Sequence, residues 1–263
     1  MRLQETGVNA MGGQVQPGAE AWSHNGTLTT GVLVVHGFTG NPSSMREIAD
    51  RFASQGFHVE LPRLSGHGTT VEEMVPTRWS DWSADADAAY HALAMRCDKV
   101  VVVGLSMGGA LTLWLAAQHP QINGIVCINP AAQPMSNDVI AMIQSMVDGG
   151  QETMEAIGSD IADQSVKESS YDATPLRPAL SMFVDGLAPL AEKYSSIKIP
   201  MLLINSINDH VVAPEQGDFL VANYGGTVER VMLEKSFHVA TQDFDKELVI
   251  TKSIDFARQV CSA

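Results

Sequence analysis

An α/β fold is predicted, with a mostly parallel central sheet, helices on both faces and a small inserted cap. Three observations point to it. Short apolar runs rich in β-branched residues (Gly31–Val35, Val100–Val103, Gly124–Asn129, Pro200–Ser206) suit strands buried on both faces. Helical patterns alternate with these strands, and such alternation produces a parallel sheet covered on both sides. The alternation then lapses from Pro130 to Lys198, where short helical pieces mix with Gly, Ser and Pro and no clean apolar strand appears. That break reads as an insertion over the carboxyl edge of the sheet, where ligands of open α/β sheets sit. The expected division is a tail over 1–16, a core formed by 17–129 and 199–263, and a cap over 130–198. A chain of 263 residues is long enough for one large domain with such an insertion.

The elements follow in order. Met1–Gly18 is polar and rich in Gly and Gln, which fits a poorly ordered tail, and Met11 is a second candidate start. Ala19–His24 is a marginal strand and Gly31–Val35 a confident one. Asn41 then caps a helix with Pro42 at its first position. Met45, Ile48, Ala49 and Phe52 recur at helical spacing, and Gly56 ends the helix. Phe57–Leu61 is the next strand, followed by the loop Pro62–Gly68. Trp79–Arg96 is a helix that buries Trp82, Ala86, Ala89, Tyr90 and Leu93. Val100–Val103 runs into Gly104-Leu105-Ser106-Met107-Gly108, and Ala110–His119 is helical. Beyond the insertion come a helix over Pro214–Tyr224, a last strand over Thr227–Leu233 and a closing helix over Asp245–Val260.

Composition narrows the function. The net charge of −14 and the lack of a Lys/Arg-rich run argue against a nucleic-acid surface. No apolar run reaches a bilayer span, and no basic segment precedes an apolar N-terminal core, so a cytoplasmic location is expected. Cys97, Cys127 and Cys261 are too few for a disulfide framework and read as free thiols. No metal-ligand spacing of the His-Glu-x-x-His kind is present, so neither a metal nor an organic cofactor is expected.

The chemistry centres on Ser106. A Gly-x-Ser-x-Gly between a buried strand and a helix is the context of a nucleophile elbow, in which the turn is too tight for a Cβ at either glycine. A serine hydroxyl needs a base, and the base needs an orienting acid. On this fold the chain order is serine, acid, histidine. His238, just past the last strand, fits as base, and Asp209, directly beyond Met201–Ile204, fits as acid. Asp185 is a weaker alternative because it lies in the cap. The oxyanion of an acyl-transfer intermediate requires two backbone N–H donors, expected from Met107 and Phe38. His36 reads as a buried brace for the Phe38 loop.

His36-Gly-Phe-Thr-Gly, Gly-Leu-Ser106-Met-Gly-Gly, Asn208-Asp209-His210-Val-Val and Phe237-His238-Val-Ala-Thr resemble the α/β-hydrolase superfamily, and most closely its bacterial monoacylglycerol lipases and related carboxylesterases. The resemblance also includes Leu61–Gly68 and Ile157-Gly-Ser-Asp, and runs from about Pro17 to the end. It implies an α/β-hydrolase fold and a serine esterase that cleaves monoacylglycerols to glycerol and a fatty acid, without a cofactor. It further implies that Glu168 binds glycerol and that Ile157 limits bulkier glycerides. A general carboxylesterase for short acyl esters and a non-catalytic binding protein of the same fold are the alternatives. The expected partner is a small lipid ester, with no nucleic acid and no transmembrane segment. An apolar outer cap surface would allow brief membrane contact. The cap residues Met135, Met142, Met146, Met154 and Met182 suit either an acyl tunnel or helix core.

Overall fold

The computed structural model describes residues 13–156 and 158–262. The expectations for a start at Met11, for Ile157 and for the first twelve residues of the 1–16 tail lie outside the described residues; within the rest of that tail Gln16 is docked, its N–H donating to Gly68 O (2.8 Å) and its Nε2 to Thr69 O (2.8 Å).

Strands β1 (Trp22–His24), β2 (Thr30–Val35), β3 (His58–Leu61), β4 (Lys99–Leu105) and β5 (Gly124–Ile128) join β8 (Met201–Ser206) and β9 (Val228–Leu233) in one seven-stranded sheet. Its order is β1-β3-β2-β4-β5-β8-β9, and all pairs are parallel except the edge pair β1/β3. β2, β5 and β8 are buried along their whole length. Alternate residues serve opposite faces. Leu33, Val35, Val102, Ile125 and Leu203 meet the helices α3 (Trp79–Ala94), α4 (Met107–Gln118) and α8 (Glu215–Asn223). Val32, Val34, Val103, Val126 and Leu202 meet α1 (Arg46–Ser54) and α9 (Lys246–Ser262). A strand with both faces covered has no polar side, so its sequence shows no alternation.

Local chemistry sets the helix ends. Asn41 accepts the Ser43 N–H at 3.0 Å, so the chain enters a short 3-10 turn over Pro42–Met45 before α1. Gly56 ends α1 at φ 90°, a conformation that suits glycine. α4 begins at Met107 rather than Ala110, because the Ser106 carbonyl already accepts from Gly109 (2.9 Å) and Ala110 (3.2 Å). The short helix α2 (Val71–Met74) lies between β3 and α3.

Between β5 and β8 the chain forms α5 (Asn137–Asp148), α6 (Leu176–Ser181), a π-helical stretch over Met182–Leu187 and α7 (Ala188–Ala191). It also forms a two-stranded antiparallel ribbon, β6 (Thr153–Glu155) with β7 (Ala173–Pro175). The sequence shows no strand here, because these strands are only three residues long and mostly unburied. Met182 is buried in the main core and Met146 packs on a small satellite core, while Met142 and Met154 face outward. No helix among the described residues is long and apolar enough to cross a membrane.

Candidate active site

Ser106 directly follows β4 at φ 57° and ψ −119°, a left-handed conformation that a side chain adopts only at a cost. The flanking glycines make the turn possible. A Cβ on Gly104 would stand 2.0 Å from the Gly108 carbonyl oxygen, and one on Gly108 would stand 2.2 Å from Val35 O. Hydrogen bonds tie the turn to the next strand: the Ser106 N–H donates to Ile128 O (3.0 Å), and its carbonyl accepts from Ala131 (3.3 Å).

Asp209 and His238 follow β8 and β9, whose carboxyl ends share the sheet edge with that of β4. His238 Nδ1 lies 2.8 Å from Asp209 Oδ2. The other Asp209 oxygen accepts the N–H groups of Val211 and Val212, both at 2.8 Å. The acid is therefore oriented by its own loop, and its partner is the imidazole Nδ1–H. That bond leaves Nε2 as the basic ring nitrogen. Asp185 takes no part in this pairing; it accepts from Ser181 Oγ at 2.6 Å on the π-helical stretch.

The loop after β2 approaches Ser106 from the other side. A Cβ on Gly37 would lie 3.3 Å from Ser106 Cβ, so the glycine sets how closely the Phe38 peptide can come. Thr39 has φ 59°, and its hydroxyl donates to Phe38 O at 2.7 Å. His36 is fully buried, accepts Leu64 N–H on Nε2 (3.2 Å) and donates from Nδ1 to Gly37 O (3.0 Å). Burial pushes its pKa down to about 4, which keeps it neutral and suits a brace. Met107 is the first residue of α4, so its N–H belongs to the first turn, which has no intrahelical acceptors.

Glu168 reaches this loop from the insertion. A Cβ on Gly40 would stand 3.0 Å from Glu168 Oε1. Burial raises the Glu168 pKa to about 7, although the charge of His238 pulls it down. The adjacent turn is anchored as well: Asn41 Nδ2 donates to Ser169 O (2.7 Å), and Tyr171 N–H donates to Thr39 O (3.2 Å).

Three further residues, to which the sequence assigns no role in the site, join these loops. Asn129 follows β5 at φ 42°. Its Nδ2 donates to His238 O (2.8 Å) and to Ser206 Oγ (3.0 Å), and its Oδ1 accepts Ser206 N–H (2.7 Å). Asp160, in the insertion, accepts the backbone N–H of His238 (3.0 Å). Asp243 accepts Phe237 N–H (2.8 Å). Their sequence signal is slight, since an Asn or Asp in a loop is ordinary turn chemistry.

One group with metal-ligand chemistry lies elsewhere: Asp87, His91 and His119, on α3 and just past α4, have ligand atoms within 4.8 Å of one another. His119 Nε2 and Asp87 Oδ1 are only 2.6 Å apart, a direct hydrogen bond with no room for an ion between them.

The fold and the serine elbow define a serine hydrolase of the α/β-hydrolase class. A family model described as serine aminopeptidase, S33, matches residues 28–245, and the chain belongs to that family. It is 42% identical over 246 residues to a thermostable monoacylglycerol lipase of Bacillus sp. (strain H-257), covering 92% of this chain and 95% of that one. It is 27% identical over 235 residues to a carboxylesterase of Bacillus subtilis (strain 168), covering 87% and 92%. Among solved structures, one reported with two metagenome-derived lipolytic enzymes superposes with a TM-score of 0.88 at 44% identity, covering 94% of this chain and 100% of that one.

Proposed function

We propose that the protein hydrolyses the ester bond of monoacylglycerols, releasing glycerol and a fatty acid through an acyl-enzyme. The observation that carries this reading is the Asp209–His238 pair, 2.8 Å apart, past β8 and β9 of the sheet whose β4 ends in the Ser106 elbow. Ser106 Oγ attacks the ester carbonyl while His238 Nε2 takes its proton. Asp209 holds the imidazole in the tautomer that makes this possible. The N–H groups of Phe38 and Met107 receive the oxyanion, and the first-turn position of Met107 favours negative charge there. His238 then protonates the departing glycerol oxygen. Water, deprotonated by the same ring, releases the fatty acid.

The choice of glycerol as leaving group is supported by the 42% identity to a monoacylglycerol lipase and by Glu168, an acceptor for hydroxyls beside the Gly37–Gly40 loop. We assign residues 130–198 as a cap, with Ile157 as a limit on bulkier glycerides. Met142, Met154 and Val184 are exposed on it, which supports brief contact with a lipid surface. Three free cysteines suit a reducing, cytoplasmic setting.

A rate panel tests the reading: mono-, di- and triacylglycerols of several chain lengths, plus a p-nitrophenyl ester, with Ser106→Ala as blank. Monoacylglycerols should be the best glycerides. Glu168→Ala should lower monoacylglycerol turnover more than that of the p-nitrophenyl ester. Equal losses would favour a general carboxylesterase, and failure of a fluorophosphonate probe to label Ser106 would favour a binding protein.

A further inference from the structure

We propose that Asp160, supplied by the segment between β5 and β8, is a positioning residue for His238 and binds that insertion into the catalytic scaffold. This rests on the reading of His238 as the general base.

The Asp160 side chain is 12% exposed. Its Oδ2 accepts two backbone N–H groups, from His238 (3.0 Å) and His210 (3.1 Å). Its Oδ1 pairs with His210 Nδ1 (2.8 Å), and its backbone carbonyl accepts Val239 N–H (3.1 Å). His210 directly follows the acid Asp209. One carboxylate therefore joins the backbones of two loops whose side chains meet at the Asp209–His238 contact. The result is a closed ring: Asp209 carboxylate, His238 ring, His238 N–H, Asp160 carboxylate, His210 N–H, and the peptide back to Asp209.

A reciprocal contact closes the other side. Asp243 Oδ2, in the His238 loop, accepts Ala162 N–H (2.8 Å) together with Phe237 N–H (2.8 Å), and its Oδ1 accepts Asp163 N–H (3.1 Å). Residues 160–163 and 237–243 are thus stitched by a carboxylate from each segment. Charge-assisted bonds of this kind are stronger than neutral ones. A loop histidine has no regular secondary structure to hold its backbone, and here an inserted segment supplies that restraint. Asp160 touches no reacting atom in this scheme. It acts through the backbone of His238.

The test uses the full chain and compares Asp160→Ala, Asp160→Asn and His210→Ala. Each is measured for kcat and KM on a p-nitrophenyl ester, for the rate of fluorophosphonate labelling and for Tm. Misplacing a catalytic group by about 1 Å costs ~10²-fold, so Asp160→Ala should lose about that factor in kcat and labelling rate while KM stays within about twofold. Asp160→Asn keeps one carbonyl oxygen for His238 N–H and should recover part of the loss. His210→Ala removes only the exposed arm and should stay within about twofold of wild type. If Asp160→Ala does not fold, Asp160→Asn decides alone: kcat lowered several-fold at constant KM supports the proposal, and wild-type kcat overturns it. It is also overturned if Asp160→Ala keeps wild-type kcat, if Asp160→Asn is no better than Asp160→Ala, or if kcat holds while KM rises. Wild-type turnover in Ser106→Ala is a different result: it removes the ester-hydrolase reading itself, and the role of Asp160 falls with it.

Discussion

Asp209 Oδ2 and His238 Nδ1 stand 2.8 Å apart, with 1% and 8% of their side chains exposed. Two backbone N–H groups occupy the other Asp209 oxygen, so the carboxylate can turn only one way. In Asp209→Asn the amide oxygen keeps those two donors and the NH2 faces the imidazole. Nδ1 must then accept, which leaves the proton on Nε2 and removes the base from Ser106. Turnover of a p-nitrophenyl ester should fall about 10⁴-fold with little change in Tm. A variant with more than a tenth of wild-type kcat would overturn the proposed role of Asp209 as the orienting acid.

Ser106 carries a backbone strain that glycine would relieve. Its φ of 57° with ψ −119° costs a residue with a Cβ about 1–3 kcal/mol. Ser106→Gly and Ser106→Ala should both be inactive, but Ser106→Gly should melt a few degrees higher, the lower flexibility of alanine in the unfolded chain offsetting part of the gain. Paired thermal melts read this directly, and equal Tm values would contradict it. Gly108→Ala should fail to fold, since its Cβ would meet Val35 O at 2.2 Å.

Glu168 makes stability depend on pH. Its folded pKa is raised by burial to about 7 from 4.5. Across that window the unfolded carboxyl is ionised while the folded one holds its proton, so unfolding releases a proton and stability falls as pH rises. The penalty is complete above the folded pKa. Glu168→Gln should therefore raise Tm relative to wild type at about pH 8 and hardly at all at about pH 4. Melts of both proteins across that range would show a widening difference. A constant offset would mean that the carboxyl is solvated.

His36 and His67 act in the opposite direction. Burial holds His36 down to about 4, and burial together with the neighbouring His36 holds His67 well below its ordinary value. Below a pH of roughly 6.5 the unfolded imidazoles bind protons that the folded ones refuse, so their contribution to stability is lost as pH falls towards the folded values. His67 packs edge-on against Trp82 (5.6 Å), and its Nε2 has no hydrogen-bond partner among the described residues. His67→Phe fits that aromatic setting and removes one buried base. Its Tm should fall less steeply than that of wild type between about pH 6.5 and pH 5. Parallel slopes would count against the buried-base account.

Much of the architecture was legible because burial on both faces leaves a strong trace in a chain. β2, β4, β5 and β8 each contain a continuous apolar run, and the glycines around Ser106 mark a turn with no room for a Cβ. The insertion was less legible. β6 and β7 are only three mostly unburied residues each, and Met142 and Met154 lie on the surface although their composition suited a core or tunnel. Where little apolar area is buried, no periodicity constrains the sequence.

The chain by itself determined where a serine would be raised on a turn, and which acid and histidine follow in the right order past the right strands. Those features are local: a strand, a tight turn, a residue type at a loop. Tertiary structure alone decided what holds those loops together. Asn129 reaches His238 across 109 positions, Asp160 reaches it across 78, and Tyr171 N–H finds Thr39 O from within the insertion. Hydrogen bonds between distant loops depend on where the sheet delivers its ends, and an Asn or Asp that makes one looks in sequence like any turn residue.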